Sequence, residues 1–382
     1  MNIPLALAVN LASVTVLTYI LLIIFWRINI KSIFQALPDF PPIAVLVAAR
    51  NEEKHLAQCI DALLALNYPP EKVQIWIGND GSSDKTGEVA CRYAQQMERV
   101  EVIDIHEKMG QADAKANVLA HLIRASATAR PSAKYLLITD ADVQVNPDWA
   151  MGMLQHAGIG SHAQNTGVVT GVTLIRGNSV WARLQCIDWL LGLGMVKVAS
   201  EFGKPVTTLG NNMMVSREAY EATGGYESMP FSITEDYALL HNTFRRGFGF
   251  RNVLDASVLA ESLPIASVKE LLQQRVRWMH GAMQLPKLLV TLLFIIAFFY
   301  PLLFYIAFSK PWMALGLFFL KMCAESMFAG MMMQQLNLGL PRKKKLFATL
   351  LLYEFYAAAL SISMIILYFL PMKVRWRGRI FQ

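Results

Sequence analysis

Four long apolar segments and a central stretch of shorter apolar runs divide the chain. The long segments are Leu5–Trp26, Leu288–Phe308, Trp312–Met333 and Phe347–Leu370. Each is long enough to cross a hydrocarbon core, which needs about 20 apolar residues. The stretch between the first and second segments alternates short apolar runs with amphipathic ones, which is typical of a folded domain. The pattern predicts a membrane protein with one N-terminal anchor, a large central domain and three C-terminal spans.

The central stretch alternates strand patterns with helical patterns. The short apolar runs that predict strands covered on both faces are Ile43–Ala48, Val73–Ile77, Val100–Ile105 and Tyr135–Thr139. Helical patterns separate them; Asp84 is placed to cap one, and another lies around Ala112–Ala125. This order predicts an α/β fold, with a mostly parallel sheet and helices on both faces.

Composition supports a membrane protein and argues against a nucleic-acid partner. Hydrophobic residues make up 54% of the chain and charged residues 16%, which is unusual for a soluble protein. The net charge of +7 is explained by Lys and Arg near the spans, which attract an anionic leaflet. No basic and aromatic nucleic-acid motif accompanies it. The cysteines are scattered and no His pair has zinc-ligand spacing, which predicts reduced thiols and no zinc site.

The basic residues beside the apolar segments predict an orientation. The first segment lacks a basic leader and a small-residue cleavage site, so we interpret it as an uncleaved anchor. Placing Arg27, Lys31 and the run Pro341–Lys345 inside puts residues 27–287 in the cytosol. The basic tail Lys373–Arg379 then lies outside, so either the rule fails there or one segment is re-entrant. We predict a multi-pass protein of the cell (inner, cytoplasmic) membrane with its central domain in the cytosol.

Three polar clusters follow the predicted strands. Arg50-Asn51-Glu52 comes after the first strand, Asp80 after the second, and Asp140 and Asp142 after the fourth. Ligands of such sheets bind beyond the carboxyl ends of the strands. A single Asp there is often only a turn or cap residue, but three clusters on one edge predict a ligand site. Asp140 and Asp142 together can hold a divalent cation and, through it, a diphosphate.

Six ordered motifs resemble those of the membrane-bound family 2 glycosyltransferases, which use nucleotide sugars and have the GT-A fold. In chain order the motifs are Val45–Glu53, Asn79–Thr86, Lys115–Asn117, Asp140-Ala141-Asp142, Thr234-Glu235-Asp236 and Gln274-Arg275-Val276-Arg277-Trp278. The resemblance implies a GT-A domain at residues 28–265, after an anchor at 1–27. An amphipathic interfacial helix at 266–287 would follow it, and a membrane region with a basic tail at 288–382.

The resemblance implies a site for a UDP-sugar donor. Arg50, Glu52 and Asp80 would contact the nucleotide, whose imide and ribose hydroxyls suit carboxylate acceptors. Lys115 would neutralise diphosphate charge. Asp142 would be the better metal ligand, and Asp140 would bind the ribose, a metal-bound water or the metal. Hard oxygen ligands beside a diphosphate favour Mg²⁺ or Mn²⁺.

The resemblance also implies the groups that act on the acceptor. Asp236, with Glu235 beside it, would be the general base that removes the proton of the attacking hydroxyl. The same pair also suits a cap of the helix predicted at Tyr237–Arg246. Asn211 and Asn212 resemble part of an acceptor region, although a plain turn into a strand would have the same sequence.

The segment Val268–Trp278 has the spacing of an amphipathic helix. By resemblance, Gln274, Arg277 and Trp278 would bind the donor, since Arg can grip two diphosphate oxygens where Lys cannot. The alternative is a headgroup anchor with Trp278 at the interface. A helix with Trp181, Leu184, Trp189 and Leu193 is expected to pack in the core rather than to line an acceptor groove.

The number of spans separates the alternatives for function. Processive cellulose and hyaluronan synthases carry more spans, whereas three C-terminal segments and the tail Arg375–Arg379 resemble ceramide glucosyltransferase-like enzymes. We therefore predict an inverting transfer of one sugar to a membrane lipid or lipid-linked acceptor at the cytosolic leaflet. A processive polysaccharide synthase and a polyprenyl-phosphate glycosyltransferase stay open. A non-catalytic scaffold is disfavoured because it need not keep Asp140, Asp142 and Asp236. Lys321 and Glu325, inside the third span, are expected to pair with each other.

Overall fold

The computed structural model describes residues 3–29, 37, 39–129, 133–158, 165–338, 343–370, 374–376 and 379–381. The chain divides into two compact units. The sheet unit comprises Lys31–Leu174 and Ala199–Leu263, and the helical unit comprises Met1–Ile30, Ile175–Val198 and Pro264–Gln382. Residues 175–198 thus group with the helical unit, although in sequence they lie within the GT-A domain expected at residues 28–265.

The elements follow the predicted order. The strands are β1 (Ile43–Ala49), β2 (Val73–Asn79), β3 (Val100–Asp104), β4 (Tyr135–Asp140), β5 (Gln144–Val145), β6 (Thr166–Thr170), β7 (Val172–Ile175), β8 (Asn212–Ser216), β9 (Gly249–Asn252), β10 (Leu259–Ser262), β11 (Val374–Trp376) and β12 (Arg379–Phe381). The helices are α1 (Ile3–Asn29), α2 (Leu56–Leu64), α3 (Thr86–Gln96), α4 (Ala114–Ala129), α5 (Trp149–Ala157), α6 (Val180–Ser200), α7 (Arg217–Ala222), α8 (Glu235–Arg245), α9 (Val268–Ala282), α10 (Lys287–Ala297), α11 (Phe299–Ser309), α12 (Pro311–Gln335) and α13 (Lys343–Tyr368). Short 3₁₀ turns lie at Pro70–Lys72, Tyr226–Ser228 and Ala256–Val258.

A mixed sheet with the strand order β3-β2-β1-β4-β8-β6-β9 forms the centre of the sheet unit. The pairs β1–β2, β1–β4, β2–β3 and β6–β9 are parallel, and β8 runs antiparallel to both β4 and β6. A second, small sheet has the order β5-β10-β7. The predicted α/β class with a mostly parallel sheet is therefore confirmed.

Helices cover both faces of the large sheet because its strands are apolar on both faces. On one face Val45 of β1 packs in a core with Ile60 of α2. On the other face Leu46 of β1 packs in a core with Leu122 of α4. All four side chains are fully buried. The uninterrupted apolar run of β1 is therefore explained by helices on both faces of the sheet, as the sequence pattern predicted.

The strand register brings the polar clusters to one edge of the sheet. Ala49, the last residue of β1, pairs with Asn79, the last residue of β2. Ala48 pairs with Asp140, the last residue of β4. The antiparallel strand β8 begins there too, with Asn212 opposite Thr139. The carboxyl ends of three strands and the start of a fourth therefore meet.

The helical unit contains the predicted membrane segments. Among the described residues, three helices are long and apolar enough to cross a membrane, at Ile3–Ile28, Pro311–Gln335 and Ala348–Tyr368. The pair α10 and α11, bent by 47°, makes a fourth if it forms one broken span. Leu5 and Ala12 of α1 share a core with Phe299 and Ile306 of α11. Several residues of the predicted orientation and of the basic tail lie outside the described residues: Lys31, Pro341, Arg342, Lys373, Arg377 and Gly378.

A buried charged cluster lies among these helices. Lys321 Nζ of α12 contacts Glu325 Oε2 at 2.7 Å, which confirms the predicted pair. The sequence did not reveal its second acidic partner, Glu354 Oε2 of α13, at 3.0 Å. Two tyrosines complete the set: the hydroxyl of Tyr19 donates to Glu325 at 2.6 Å, and that of Tyr300 donates to Glu354 at 2.9 Å. Side chains from four helices thus meet inside the apolar unit.

Candidate active site

The residue Gly210 lies at the centre of the polar edge of the sheet unit. Its N–H donates to Asp236 Oδ2 at 2.7 Å, and its carbonyl accepts from Lys115 Nζ at 2.8 Å. Lys115 also forms an ion pair with Asp140 Oδ1, and Glu235 Oε1 lies 3.9 Å from the same ammonium. Three of the predicted motifs are therefore brought together around one glycine, through Lys115, Asp140, Glu235 and Asp236.

Asp236 is held at the start of a helix. Its Oδ1 accepts from the N–H of Tyr237 at 2.8 Å while its Oδ2 accepts from Gly210. The helix α8 begins at Glu235, two residues earlier than the pattern predicted. Since each carboxylate oxygen has a second lone pair, Asp236 can still accept a proton from a ligand. Capping and a chemical role are compatible here.

Lys115 is held as a cation. Burial alone would lower its pKa, but the carboxylates of Asp140, Glu235 and Asp236 outweigh this effect, so the pKa is raised above its usual value. The preceding residue, Ala114, has a φ of +49°. This left-handed conformation is costly for a residue with a Cβ, and such strain is concentrated at functional sites. The backbone therefore directs Lys115 to this edge at some cost in stability.

The first two motifs form interlocked loops. Arg50 Nη1 donates to the Asp80 carbonyl at 3.1 Å and approaches its carboxylate at 3.4 Å. The N–H of Glu52 donates to Thr86 Oγ1 at 2.7 Å, and the N–H of Glu53 donates to the carboxylate of Asp84 at 3.2 Å. The Thr86 side chain and N–H also donate to Asp84. Burial raises the pKa of Asp84, but these hydrogen bonds lower it overall.

Three carboxylates lie around the buried thiol of Cys59. Burial raises the pKa of Cys59, and the charges of Asp142, Asp140 and Glu52 raise it further. The thiol also donates to the Asp140 carbonyl at 3.5 Å. The charges of Glu52, from the first motif, and of Asp140 and Asp142, from the fourth, therefore act on the same thiol.

The two asparagines at the start of β8 have different surroundings. Asn212 is fully buried; its Oδ1 accepts from Trp149 Nε1 at 2.8 Å, and its Nδ2 donates to the Val172 and Val258 carbonyls. The Asn212 side chain therefore stabilises the start of β8 through hydrogen bonds within the protein. Asn211 is only half-buried, and its Oδ1 accepts from Thr173 Oγ1 at 3.1 Å. Of the two, Asn211 has the more exposed side chain.

The carboxylates of Asp140 and Asp142 supply hard oxygen donors for a cation. Among the described residues, no group of three His, Cys, Asp or Glu side chains could form a complete protein cage. Mg²⁺ commonly uses one or two carboxylates together with substrate phosphates and waters. Lys115 already pairs with Asp140 Oδ1, so a cation at this carboxylate would compete with an ammonium. The donor set thus fits a divalent ion that arrives with a diphosphate.

The last motif lies on α9 of the helical unit. Ser267 caps this helix, accepting from the N–H of Glu270 at 3.2 Å. Gln274 is buried, and Arg277 and Trp278 are half-buried. Arg275, for which the motif predicts no role, is buried and forms an ion pair with Asp188 of α6. The signal for Asp188 was available, because it is the only acidic residue in a long apolar helix.

The chain matches the family described as glycosyl transferase family 21 over residues 5–382. It belongs to this family. Family 21 lies in the same clan as family 2, so the resemblance carried by the six motifs is confirmed. The layout similar to ceramide glucosyltransferases also fits family 21.

Relatives of this family 21 glycosyltransferase are also glycosyltransferases. It is 28% identical to the poly-β-1,6-N-acetyl-D-glucosamine synthase of Staphylococcus aureus over 240 residues, which are 63% of this chain and 54% of that protein. It is 24% identical to the probable glycosyltransferase YdaM of Bacillus subtilis over 262 residues, 67% of this chain and 57% of that protein. The chain thus spans about half the length of the curated relatives it matches.

A solved structure supports the fold of the family 21 enzyme. The mannosyltransferase of Pyrobaculum calidifontis, in complex with GDP-mannose and Mn²⁺, aligns with a TM-score of 0.52 and 17% identity. The alignment covers 93% of this chain and 99% of that one. The predicted GT-A fold is therefore confirmed. The glycosyltransferase class is confirmed by the family match.

Proposed function

We propose that this family 21 enzyme transfers one sugar from a UDP-sugar, with inversion, to a hydroxyl group of a membrane lipid or lipid-linked acceptor. The observation that carries the proposal is the cluster around Gly210, which joins Asp236 to Lys115 and Asp140. A carboxylate and an ammonium held close together are the groups needed to deprotonate an acceptor and to bind a departing diphosphate. Such preorganised charge is the main source of catalysis in many enzymes.

The donor site is proposed at the carboxyl ends of β1, β2 and β4. Glu52 and Asp80 would accept hydrogen bonds from the nucleobase and ribose, with Arg50 orienting Asp80. Asp140 would contact the ribose or the cation. Lys115 would turn from Asp140 towards the diphosphate, because a dianion is the stronger partner for its ammonium. Asp142 and Asp140 would hold Mg²⁺ or Mn²⁺, which would neutralise charge on the departing nucleoside diphosphate.

The transfer step is proposed as a direct displacement. Asp236 takes the proton of the acceptor hydroxyl, and the freed oxygen electron pair forms a bond to the anomeric carbon. The bond from that carbon to the diphosphate oxygen breaks at the same time, and its electrons leave with UDP. An α-linked donor therefore gives a β-linked product. Glu235 adds negative charge beside Lys115, and Asn211 is proposed to contact the acceptor.

The motif on α9 is proposed to bind the donor as well. Arg277 would bind two diphosphate oxygens, and Trp278 would offer an aromatic face to the sugar or acceptor. Gln274 Oε1 is buried and has no hydrogen-bond partner among the described residues, which is costly unless a ligand supplies one.

The candidate spans and the positive-inside rule support a cytosolic-leaflet location in the inner membrane.

One comparison favours a second candidate function. The staphylococcal relative is named as a synthase of a polymer, poly-β-1,6-N-acetyl-D-glucosamine. A processive synthase would need the same donor site and base, so the cluster around Gly210 does not separate the two. Product length does, since a single-sugar product in mass spectrometry excludes the polymer. An alkali-stable linkage without phosphate excludes a polyprenyl-phosphate acceptor.

The experiment that tests the proposal is nucleotide release by the purified enzyme. UDP-sugars and GDP-mannose are offered one at a time with total lipid extract and with Mn²⁺, Mg²⁺ or a chelator. We expect UDP release with at least one UDP-sugar, dependence on the cation, and a new glycolipid in mass spectrometry. Failure to release UDP from every UDP-sugar would reject the proposal. A scaffold function would instead be favoured if Asp236→Asn and Asp142→Ala both kept full function in cells.

A further inference from the structure

Two successive residues of α6 contact two residues of the motif helix α9. Asp188 forms an ion pair with Arg275 Nη2. Its neighbour Trp189 packs edge-to-face on Trp278, with ring centroids 5.1 Å apart and an interplanar angle of 75°. Arg275 links the two contacts, because its guanidinium lies 4.2 Å from the centre of the Trp278 ring. All four residues belong to the helical unit.

The Trp278 ring is thereby held by two different kinds of contact. The flat guanidinium of Arg275 lies against the π system, which is attractive for a cation. The edge of Trp189 meets the ring at a steep angle, which is a preferred aromatic geometry. Trp278 nevertheless stays half-exposed, whereas Trp189 is 8% exposed. The arrangement fixes the ring and leaves part of it accessible.

Asp188, whose side chain is 22% exposed, is held in turn by a contact with α13. Its Oδ1 accepts a long hydrogen bond from the hydroxyl of Tyr353 on α13, at 3.4 Å. Burial raises the pKa of Asp188, while Arg275 and Tyr353 act in the opposite direction. Arg275 itself is only 8% exposed. A buried charge of this kind needs its partner, so the Asp188–Arg275 pair constrains where the Arg275 guanidinium can lie.

We propose that Asp188 is a positioning residue that acts through Arg275 to orient Trp278, with Trp189 supporting the same ring. This inference rests on the proposed function, in which Trp278 contacts the donor or acceptor. It assigns Arg275 to orientation rather than to diphosphate binding, which falls to Arg277 alone. The same motif would therefore contain one arginine that pairs with Asp188 and one that binds the diphosphate.

A double-mutant cycle tests the inference. Asp188→Asn keeps the shape of the side chain and removes its charge, and Glu270→Gln, on the exposed surface of α9, is the matched control. We expect Asp188→Asn to lower turnover at saturating donor by about 10–100-fold, because small misplacements of binding groups are that costly. In a Trp278→Phe background the same change should cost less than about twofold, since residues that act through one another are not additive. Glu270→Gln should leave kcat and KM unchanged.

A second readout does not depend on activity. The protein contains eight tryptophans, and incorporation of 5-fluorotryptophan gives each a fluorine resonance; the one missing in Trp278→Phe identifies Trp278. Asp188→Asn should shift or broaden that resonance, and Glu270→Gln should not. Losses that multiply in the cycle, or an unmoved resonance, would overturn the inference. If Asp188→Asn does not fold, Arg275→Gln removes the same ion pair from its other side and should give the same loss of turnover and the same shift of the resonance. Failure of the wild type to release UDP would reject the proposed function, while the resonance would still decide the positioning role.

Discussion

The sheet unit and the helical unit each contain one lysine between two carboxylates, but in very different surroundings. In the sheet unit Lys115 lies between Asp140 and Glu235, with side chains that are 24%, 30% and 17% exposed. In the helical unit Lys321 lies between Glu325 and Glu354, at 4%, 4% and 2%. The charges are of the same types, so access to solvent and ligands separates the two clusters.

This difference in access explains what each cluster can do. The cluster of Lys115, Asp140 and Glu235, the open cluster, lies at the edge of a sheet. Its ion pairs can therefore be exchanged for a diphosphate and a cation. The closed cluster draws partners from α1, α11, α12 and α13, and its ammonium is already bound by both carboxylates and by the Tyr300 hydroxyl at 2.8 Å. Buried polar groups with partners on several helices specify how those helices pack. We interpret the first cluster as catalytic and the second as structural.

The largest expected effect tests the catalytic interpretation. Asp236→Asn should lower the rate of UDP release by about 10²–10⁴-fold, which is the usual contribution of a general base. The amide cannot take the acceptor proton, and it can accept only one of the two N–H groups that the carboxylate now accepts. UDP affinity, measured by calorimetry, should change little. A variant that retained wild-type turnover would show that another group is the base.

The next effect tests the structural interpretation. Lys321→Met leaves Glu325 and Glu354 buried without a cation, and breaking a buried ion pair in this way costs about 3–5 kcal/mol. Thermal unfolding of the detergent-solubilised protein should show a correspondingly lower midpoint. The triple variant Lys321→Met, Glu325→Gln and Glu354→Gln should recover much of this loss, because it leaves no uncompensated charge. A single variant as stable as wild type would refute a structural role.

The sequence predicted the open cluster better than the closed one, for a physical reason. Strand ends are visible as apolar runs that stop at a polar residue, so Asp80, Asp140 and Asp142 could be placed on one edge. The role of Gly210 could not be predicted, since its N–H and carbonyl contact side chains far away in sequence. The ion pairs of Glu354 and Asp188 were missed because helix periodicity gives the face of a residue but not the partner helix. Lys321 and Glu325 were found because their four-residue spacing is local.

The two arginines of the α9 motif offer a smaller and more selective test. Arg277→Lys keeps the charge but loses the planar fork that binds two phosphate oxygens. Losing one such charge-assisted hydrogen bond costs about 1.5–3 kcal/mol, which is about 10–150-fold in turnover if it acts on the transition state. Arg183→Lys, on the exposed surface of α6, is the control and should be silent. Near-normal turnover of Arg277→Lys would return the motif to a headgroup anchor.

The smallest effect concerns Gly210, where the open cluster is tightest. An added Cβ would lie 3.1 Å from Asp236 Oδ2 and 3.3 Å from Lys115 Nζ. Both distances are closer than an ordinary van der Waals contact, so the base and the ammonium would have to move apart by a few tenths of an ångström. Since a displacement of 1 Å costs about 10²-fold, we expect Gly210→Ala to lower turnover by about tenfold.

The matched control for Gly210→Ala is Gly192→Ala, whose Cβ would have no neighbour within 4 Å. Alanine favours the helix in which Gly192 lies, so this variant should be fully active and slightly more stable. Gly210→Ala should instead keep its unfolding midpoint while kcat falls, because the methyl group disturbs two functional side chains rather than the core. If kcat were unchanged, the contacts of Gly210 with Asp236 and Lys115 would be incidental to catalysis. A fall in kcat without a fall in stability would show that Gly210 positions the proposed base, Asp236, and the proposed diphosphate-binding residue, Lys115.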